Sequence, residues 1–174
     1  TTKKPMPVFV KSAIWICCSM MYVLQISPIF YRAVNGDNGN TFAVIGAVIM
    51  FVAIIIESLS DHQKSAAKKI NPRRFCDSGL FKIVRCPNYL GEVLFWTGVL
   101  VSGIGVVEGS QWIIAILGYI LIVYVMLSGA KRLEIRQNKN YGQDPEYQAY
   151  VAKTPIIFPL VPLYHLENAK FIIV

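Results

Sequence analysis

The sequence is poor in acidic residues and histidines and lacks the short motifs of soluble nucleotide-binding or metal-binding proteins. Its 174 residues include 10 Asp and Glu against 17 Lys and Arg, and only two His. There is no GxGxxG after an apolar strand pattern and no Walker loop, which excludes a soluble-type nucleotide fold by motif. The four cysteines match no zinc spacing, and the adjacent Cys17 and Cys18 are poorly placed to pair. We therefore expect reduced thiols and no metal site.

Long apolar runs are what the sequence has in abundance. Hydrophobic residues make up 55% of the chain and the mean hydropathy is +0.49, which argues against a soluble domain. Four runs approach the roughly 20 residues that span a bilayer: 8–31, 41–59, 88–107 and 111–130. Basic polar loops occupy 60–87 and 131–154. The pattern predicts an all-α fold, a polytopic membrane helix bundle forming a single membrane domain over 1–174.

The two ends of the chain complete this bundle. No small-residue cleavage site follows the first apolar run, and the chain begins at Thr1 rather than Met, so we expect a processed or partial chain without a cleavable signal peptide. Pro28 is expected to kink or end the first span, and Asn35–Asn40 to form a turn. Asp144-Pro145-Glu146 predicts the start of a short interfacial helix. Three prolines between 155 and 162 then predict a broken, re-entrant or surface-lying segment packed on the bundle.

The distribution of charge predicts the topology. The two basic loops hold seven and five of the 17 Lys and Arg residues. Four spans place both loops and the N-terminus on one face of the membrane, which should be the cytosolic or matrix side. The net charge of +7 therefore indicates basic loops near anionic membrane lipids, with no nucleic-acid partner expected. Arginines in such loops can also hold the phosphates of a nucleotide.

Cys86-Pro87-Asn88-Tyr89-Leu90-Gly91-Glu92 marks the point where the basic loop enters an apolar helix. Pro87 suits the first turn of a helix. Asn88 and Glu92 are four residues apart and share a face, with Glu92 about one turn inside the apolar run. A carboxylate there indicates a functional site; the alternative is a carboxylate at the positive end of the helix dipole. Asp61, at the end of the second run, is either part of the same site or an ordinary charge emerging into water.

Several motifs together resemble the steroid 5-alpha-reductase-like membrane proteins, especially their bacterial-type subgroup annotated only as a domain of unknown function. The matching stretches are IESLSDHQK (56–64), DSGLFKIVRCPNYLGEVLFWTG (77–98), Leu133-Glu134, and DPEYQAYVAKTPIIFPL (144–160). They follow in the right order over about residues 41–162. Asn88 and Glu92 after Arg85-Cys86-Pro87 favour the reductase branch over the related isoprenylcysteine carboxyl methyltransferase-like proteins.

The resemblance implies an NADPH site on the side of the basic loops. It assigns the family's acidic position to Asp61, its Asn and Glu to Asn88 and Glu92, and a tyrosine of the last loop to Tyr147. Arg74, Arg85 and Arg132 are the candidate contacts to the phosphates. Asn88 would then hold the nicotinamide carboxamide, with Glu92 accepting from it or orienting Asn88. The implied reaction is reduction of a lipid-like or steroid-like enone by hydride transfer.

One departure from the family keeps other functions open. Family members have further helices before the matched part, with a Glu–Tyr pair that holds the enone oxygen, whereas this chain has a single span there. Tyr22 and Gln25 are the only polar residues deep enough in it to substitute. Either the N-terminal part is missing, a partner subunit supplies it, or the chemistry is lost. The alternatives are a catalytically silent structural subunit of a membrane complex, and a membrane methyltransferase that uses S-adenosylmethionine.

Overall fold

A computed structural model describes residues 6–36 and 41–173. Within these ranges the chain forms five α-helices and one short 3-10 helix, and no β-strand. The α-helices are α1 (Val8–Asn35), α2 (Thr41–Ile70), α3 (Pro87–Ser102), α4 (Gln111–Tyr141) and α5 (Pro145–Lys153); the 3-10 helix is Gly79–Lys82. Three of them, α1, α2 and α4, are long and apolar enough to cross a membrane. The all-α membrane bundle is therefore confirmed, and the protein is an integral membrane protein.

The helices differ in length from the apolar runs. Pro28 lies inside α1, which continues to Asn35. The basic segments do not end α2 and α4, because Lys, Arg and Gln are good helix formers. By contrast α3 has 16 residues, about 24 Å at the usual helical rise, and the chain continues to Val107 in turns that include Gly105 at φ 86°. Residues 1–5 and 37–40, which include most of the expected Asn35–Asn40 turn, lie outside the described residues.

Small residues bring α2 and α3 into close contact. A Cβ on Gly98 would lie 2.7 Å from the carbonyl oxygen of Gly46, so the two backbones approach each other directly. Gly91 packs in the same way near Ala53 and Glu57. This contact fixes the first turns of α3 beside the middle of α2, near Ala53 and Glu57.

The chain after α5 folds back over the bundle without a regular helix, as its prolines predict. The amides of Arg85 and Cys86 donate to the carbonyls of Pro155 and Ile156, each at 2.8 Å. Its buried apolar side chains pack with Cys86 and Ala130 in one cluster: Ile156, Ile157, Leu166 and Ile172. The segment thereby covers the end of the bundle where α2 and α4 end and α3 begins, which we call the basic end.

Candidate functional site

A cavity of about 210 Å³ lies at the basic end between α2, the 71–86 chain, α3 and α4. We call it the basic cavity. Its lining residues are Lys64, Lys68, Phe75, Cys76, Phe81, Arg85, Asn88, Leu133, Arg136, Gln137, Asn140 and Tyr141. Four of these carry a positive charge, and none is Asp or Glu.

Helical spacing explains why these polar groups converge. Lys64 and Lys68 are one turn apart on α2, and Arg136 and Asn140 are one turn apart on α4, so each pair presents one face. Asn88 joins them from the first turn of α3, directly after Pro87 at the helix start. No side chain caps this end of α3, so its positive dipole end adds to the field of the cavity.

The positive charge of the cavity is largely uncompensated. Lys64 and Arg136 have no hydrogen-bond or ion-pair partner among residues 6–36 and 41–173. The ammonium of Lys68 donates to the carbonyl of Arg74 at 2.6 Å and to the hydroxyl of Tyr141 at 2.9 Å, contacts that hold it without neutralising it. Cations arranged in this way attract an anionic group.

Arg85 is different, because a buried carboxylate neutralises it. Its Nη2 donates to Glu134 Oε1 at 2.9 Å and to the carbonyl of Tyr164, and both charged side chains are only 2% exposed. The second carboxylate oxygen of Glu134 accepts from the amides of Leu166 and Glu167 at 2.7 and 3.0 Å. The Nε of Arg85 remains a buried donor with no partner in the described chain. Sequence reasoning selected Arg85 but gave Glu134 no role, although the Leu133-Glu134 motif carried the signal.

Asn88 and Glu92 do not share the cavity, although they share a face of α3. Asn88 lines it, whereas Glu92 lies one turn deeper and its Oε1 accepts from Trp96 Nε1 at 2.9 Å. The carboxylate of Glu92 is therefore bonded within its own helix and not to Asn88. The close approach of α2 at Gly91 places Glu57 beside this turn. Glu92 is therefore held within the helix pair, about 6 Å further along the axis of α3 than Asn88.

Asp61 and Tyr147 also lie outside the lining of the basic cavity, so only Asn88 of the four predicted pocket residues is in it. Asp61 is exposed, because α2 continues as a helix and turns this residue towards solvent. Tyr147 is 2% exposed; its hydroxyl donates to Asn138 Oδ1 at 2.9 Å and its ring packs on Phe75. Burial raises the pKa of Tyr147 to about 12. Tyr147 therefore packs on Phe75, which lines the basic cavity, without lining the cavity itself.

The other two predicted arginines lie in neighbouring cavities. Arg74 lines an open cavity of about 400 Å³ and is paired with Asp77 at 2.9 Å and with Glu146, so its charge is compensated. Arg132 lines a third cavity of about 400 Å³. Its wall includes Arg136, which also faces the basic cavity. Arg85 is the predicted phosphate contact that the basic cavity contains.

The cavity also includes a thiol that sequence reasoning did not connect with the site. Cys76 is half-buried and lines the basic cavity. Cys86, ten residues further on, is buried, and burial raises its pKa to about 12. Since the thiolate is the reactive form, Cys86 should be inert where Cys76 reacts.

Comparison with known proteins identifies the family. A family model described as Protein of unknown function (DUF1295) matches residues 2–154. No curated protein and no solved structure matches the chain. The chain therefore belongs to this family, which confirms, at that level, the resemblance to steroid 5-alpha-reductase-like membrane proteins.

Proposed function

We propose that this member of the family is an NADPH-dependent membrane reductase of a lipid-like enone, with the cofactor phosphates bound in the basic cavity. The observation that carries the proposal is the lining of the cavity. It includes four cationic side chains and an asparagine, and it contains no carboxylate. When bound, the cofactor supplies the hydride that adds to the β-carbon of the enone.

The donor set fits a phosphate-bearing cofactor. Lys64 and Arg136 are free to pair with phosphate oxygens, and the guanidinium can do so in a bidentate manner. The unpartnered Nε of Arg85 offers a further donor from the wall. The volume of about 210 Å³ suits the phosphates rather than a whole dinucleotide. Asn88, at the start of α3, would hold the carboxamide of a nicotinamide that lies beside the cavity, outside the volume occupied by the phosphates.

The same charge argues against S-adenosylmethionine. That cofactor carries a sulfonium and an ammonium against one carboxylate, so its net charge is positive. A cavity lined by uncompensated Lys64, Lys68 and Arg136 repels such a group. The chemistry of the cavity thus supports the reductase over the methyltransferase.

The proposal is tested by titrating NADPH into the purified full chain. Lys64→Met and Arg136→Gln each remove one charge from the cavity. Lys69→Met and Arg73→Gln remove the same charges from exposed positions outside it and serve as matched controls. A charge-assisted hydrogen bond contributes roughly 1.5–3 kcal/mol, so each cavity variant should bind about 10- to 150-fold more weakly. The controls should bind like the parent chain.

Other outcomes would support the other functions. Saturable binding of S-adenosylmethionine in place of NADPH would support the methyltransferase. Binding of neither cofactor, by a chain that melts cooperatively, would support a silent subunit of a membrane complex. Equal loss of NADPH affinity in cavity and control variants would contradict the assignment of the basic cavity.

A further inference from the structure

A second basic cavity lies next to the first along α4 and is lined by no residue with a negative charge. It measures about 400 Å³ and is lined by Tyr89, Gly129, Arg132, Leu133 and Arg136. We call it the Arg132 cavity. It shares Leu133 and Arg136 with the basic cavity, whereas Tyr89 and Arg132 belong to it alone.

The Arg132 cavity lies at the level where α4 leaves its apolar stretch. The apolar part of α4 ends at Ala130, Lys131 is buried against the C-terminal segment, and Arg132 is the first exposed charge. Arg136 follows one turn later on the same face. A pair of arginines in this position meets the headgroup region of a bilayer.

Tyr89 and Gly129 form the membrane-side wall of the cavity. A Cβ on Gly129 would lie 3.3 Å from the ring and the hydroxyl oxygen of Tyr89, so the ring rests directly on the backbone of α4. A tyrosine hydroxyl beside two guanidinium groups adds a hydrogen-bond donor and acceptor. Amphipathic aromatic rings of this kind are enriched at the boundary between lipid and water.

The charges that line the Arg132 cavity indicate which kind of headgroup it can bind. Neither Arg132 nor Arg136 has an ion-pair or hydrogen-bond partner in the described ranges. Guanidinium groups bind phosphate oxygens in a bidentate manner. The ammonium of choline or ethanolamine would find no carboxylate in this lining, so a zwitterionic headgroup is matched only in part. A phosphate ester without a neighbouring cation matches the site.

We propose that the Arg132 cavity binds the phosphate headgroup of an anionic glycerophospholipid. The two proposed sites share Arg136, but Arg132 and Tyr89 line the Arg132 cavity alone and Lys64 lines the basic cavity alone. Variants of Arg132 and of Lys64 therefore test the two assignments independently.

Native mass spectrometry of the full chain in detergent tests this inference. Dioctanoyl phosphatidylglycerol should bind at least about tenfold more tightly than dioctanoyl phosphatidylcholine. Arg132→Gln should remove this preference. Arg132→Lys should keep part of it, since lysine retains the charge but cannot bind a phosphate in a bidentate manner. Arg73→Gln, which removes the same charge from an exposed loop position, should leave it intact. Lys64→Met, which removes a charge from the basic cavity alone, should also keep the preference for phosphatidylglycerol.

Three results would overturn the inference. The first is equal binding of the two lipids by the parent chain. The second is an identical lipid preference in Arg132→Gln and Arg73→Gln. The third is binding of glycerol phosphate as tightly as of phosphatidylglycerol, which would assign the cavity to a soluble phosphate ester. Since Arg132 is exposed, its substitution should leave the melting temperature of the lipid-free chain unchanged, which verifies that the variant is folded.

Discussion

Breaking the buried pair of Arg85 and Glu134 should destabilise the protein more than breaking an ion pair between exposed side chains. Glu134 joins α4 to the chain before α3 through Arg85, and to the C-terminal segment through the amides of Leu166 and Glu167. Glu134→Gln keeps the shape of the side chain but leaves the guanidinium buried without a counter-charge. Breaking a buried pair in this way costs about 3–5 kcal/mol.

A double variant separates the cost of the stranded charge from the loss of the other contacts. Arg85→Met combined with Glu134→Gln removes the uncompensated cation, so it should be more stable than Glu134→Gln alone. The recovery should be incomplete, because the carbonyl of Tyr164 and the two amides lose their charged partners. Coupling within such networks is typically about 0.5–3 kcal/mol.

Unfolding in mixed micelles, followed by circular dichroism, measures these differences, and limited proteolysis reports whether the C-terminal segment has detached. Arg74→Gln is the control, because it breaks contacts between exposed side chains and should change little. A loss of stability in Glu134→Gln no greater than that in Arg74→Gln would refute the reasoning. So would an intact C-terminal segment in a clearly destabilised Glu134→Gln.

Three further predictions concern packing, ionisation and the division of roles along α3. Gly98→Ala places a methyl group against the backbone of α2 and should destabilise the bundle by about 1–3 kcal/mol in the same assay, whereas Val48→Ile adds a methyl group at an exposed position and should not. Because the pKa of Tyr147 is raised from 10.0 to about 12 in the folded state, its contribution to stability should be complete below pH 10 and lost as the pH rises towards 12; alkaline unfolding should be weaker in Tyr147→Phe. Asn88→Ala should weaken NADPH binding by roughly tenfold through loss of one or two hydrogen bonds, while Glu92→Ala should lower the melting temperature without changing NADPH affinity, since Glu92 contacts Trp96 instead of the cavity.

Local patterns in the sequence predicted the elements of this fold. Apolar run length predicted the three helices that are long enough to cross a membrane, whereas the run 88–107 forms the shorter α3. Asp144 before Pro145 predicted the start of α5, and the side chain of Asp144 accepts from the amide of Glu146. The ends of α2 and α4 were harder to predict. An apolar run ends at the membrane boundary. The helix continues beyond it for as long as the residues have a high helix propensity.

The site could be predicted less completely, because it depends on contacts between distant segments. Asn88 and Arg85 are adjacent to the helix start that the motif marks, and both line the basic cavity. Lys64 and Arg136 come from two other helices, 72 positions apart, and only the packing of α2 and α4 brings them together. Glu92 was predicted to belong to the site because it shares a face of α3 with Asn88. Its carboxylate instead accepts a hydrogen bond from Trp96, which orients it along the helix and not into the cavity.

Cys76 lines the basic cavity of the unmodified protein, so its protection from a thiol reagent measures cofactor binding there. A charged thiol reagent should modify Cys76 near neutral pH, while Cys86 stays unmodified because it is buried and its pKa is raised to about 12. Mass spectrometry of the full chain identifies the modified residue. Saturating NADPH should slow modification of Cys76, whereas S-adenosylmethionine should not. Lys64→Met should raise the NADPH concentration that protects Cys76 by about 10- to 150-fold. Modification of Cys76 at the same rate with and without NADPH would contradict binding of the cofactor in the basic cavity.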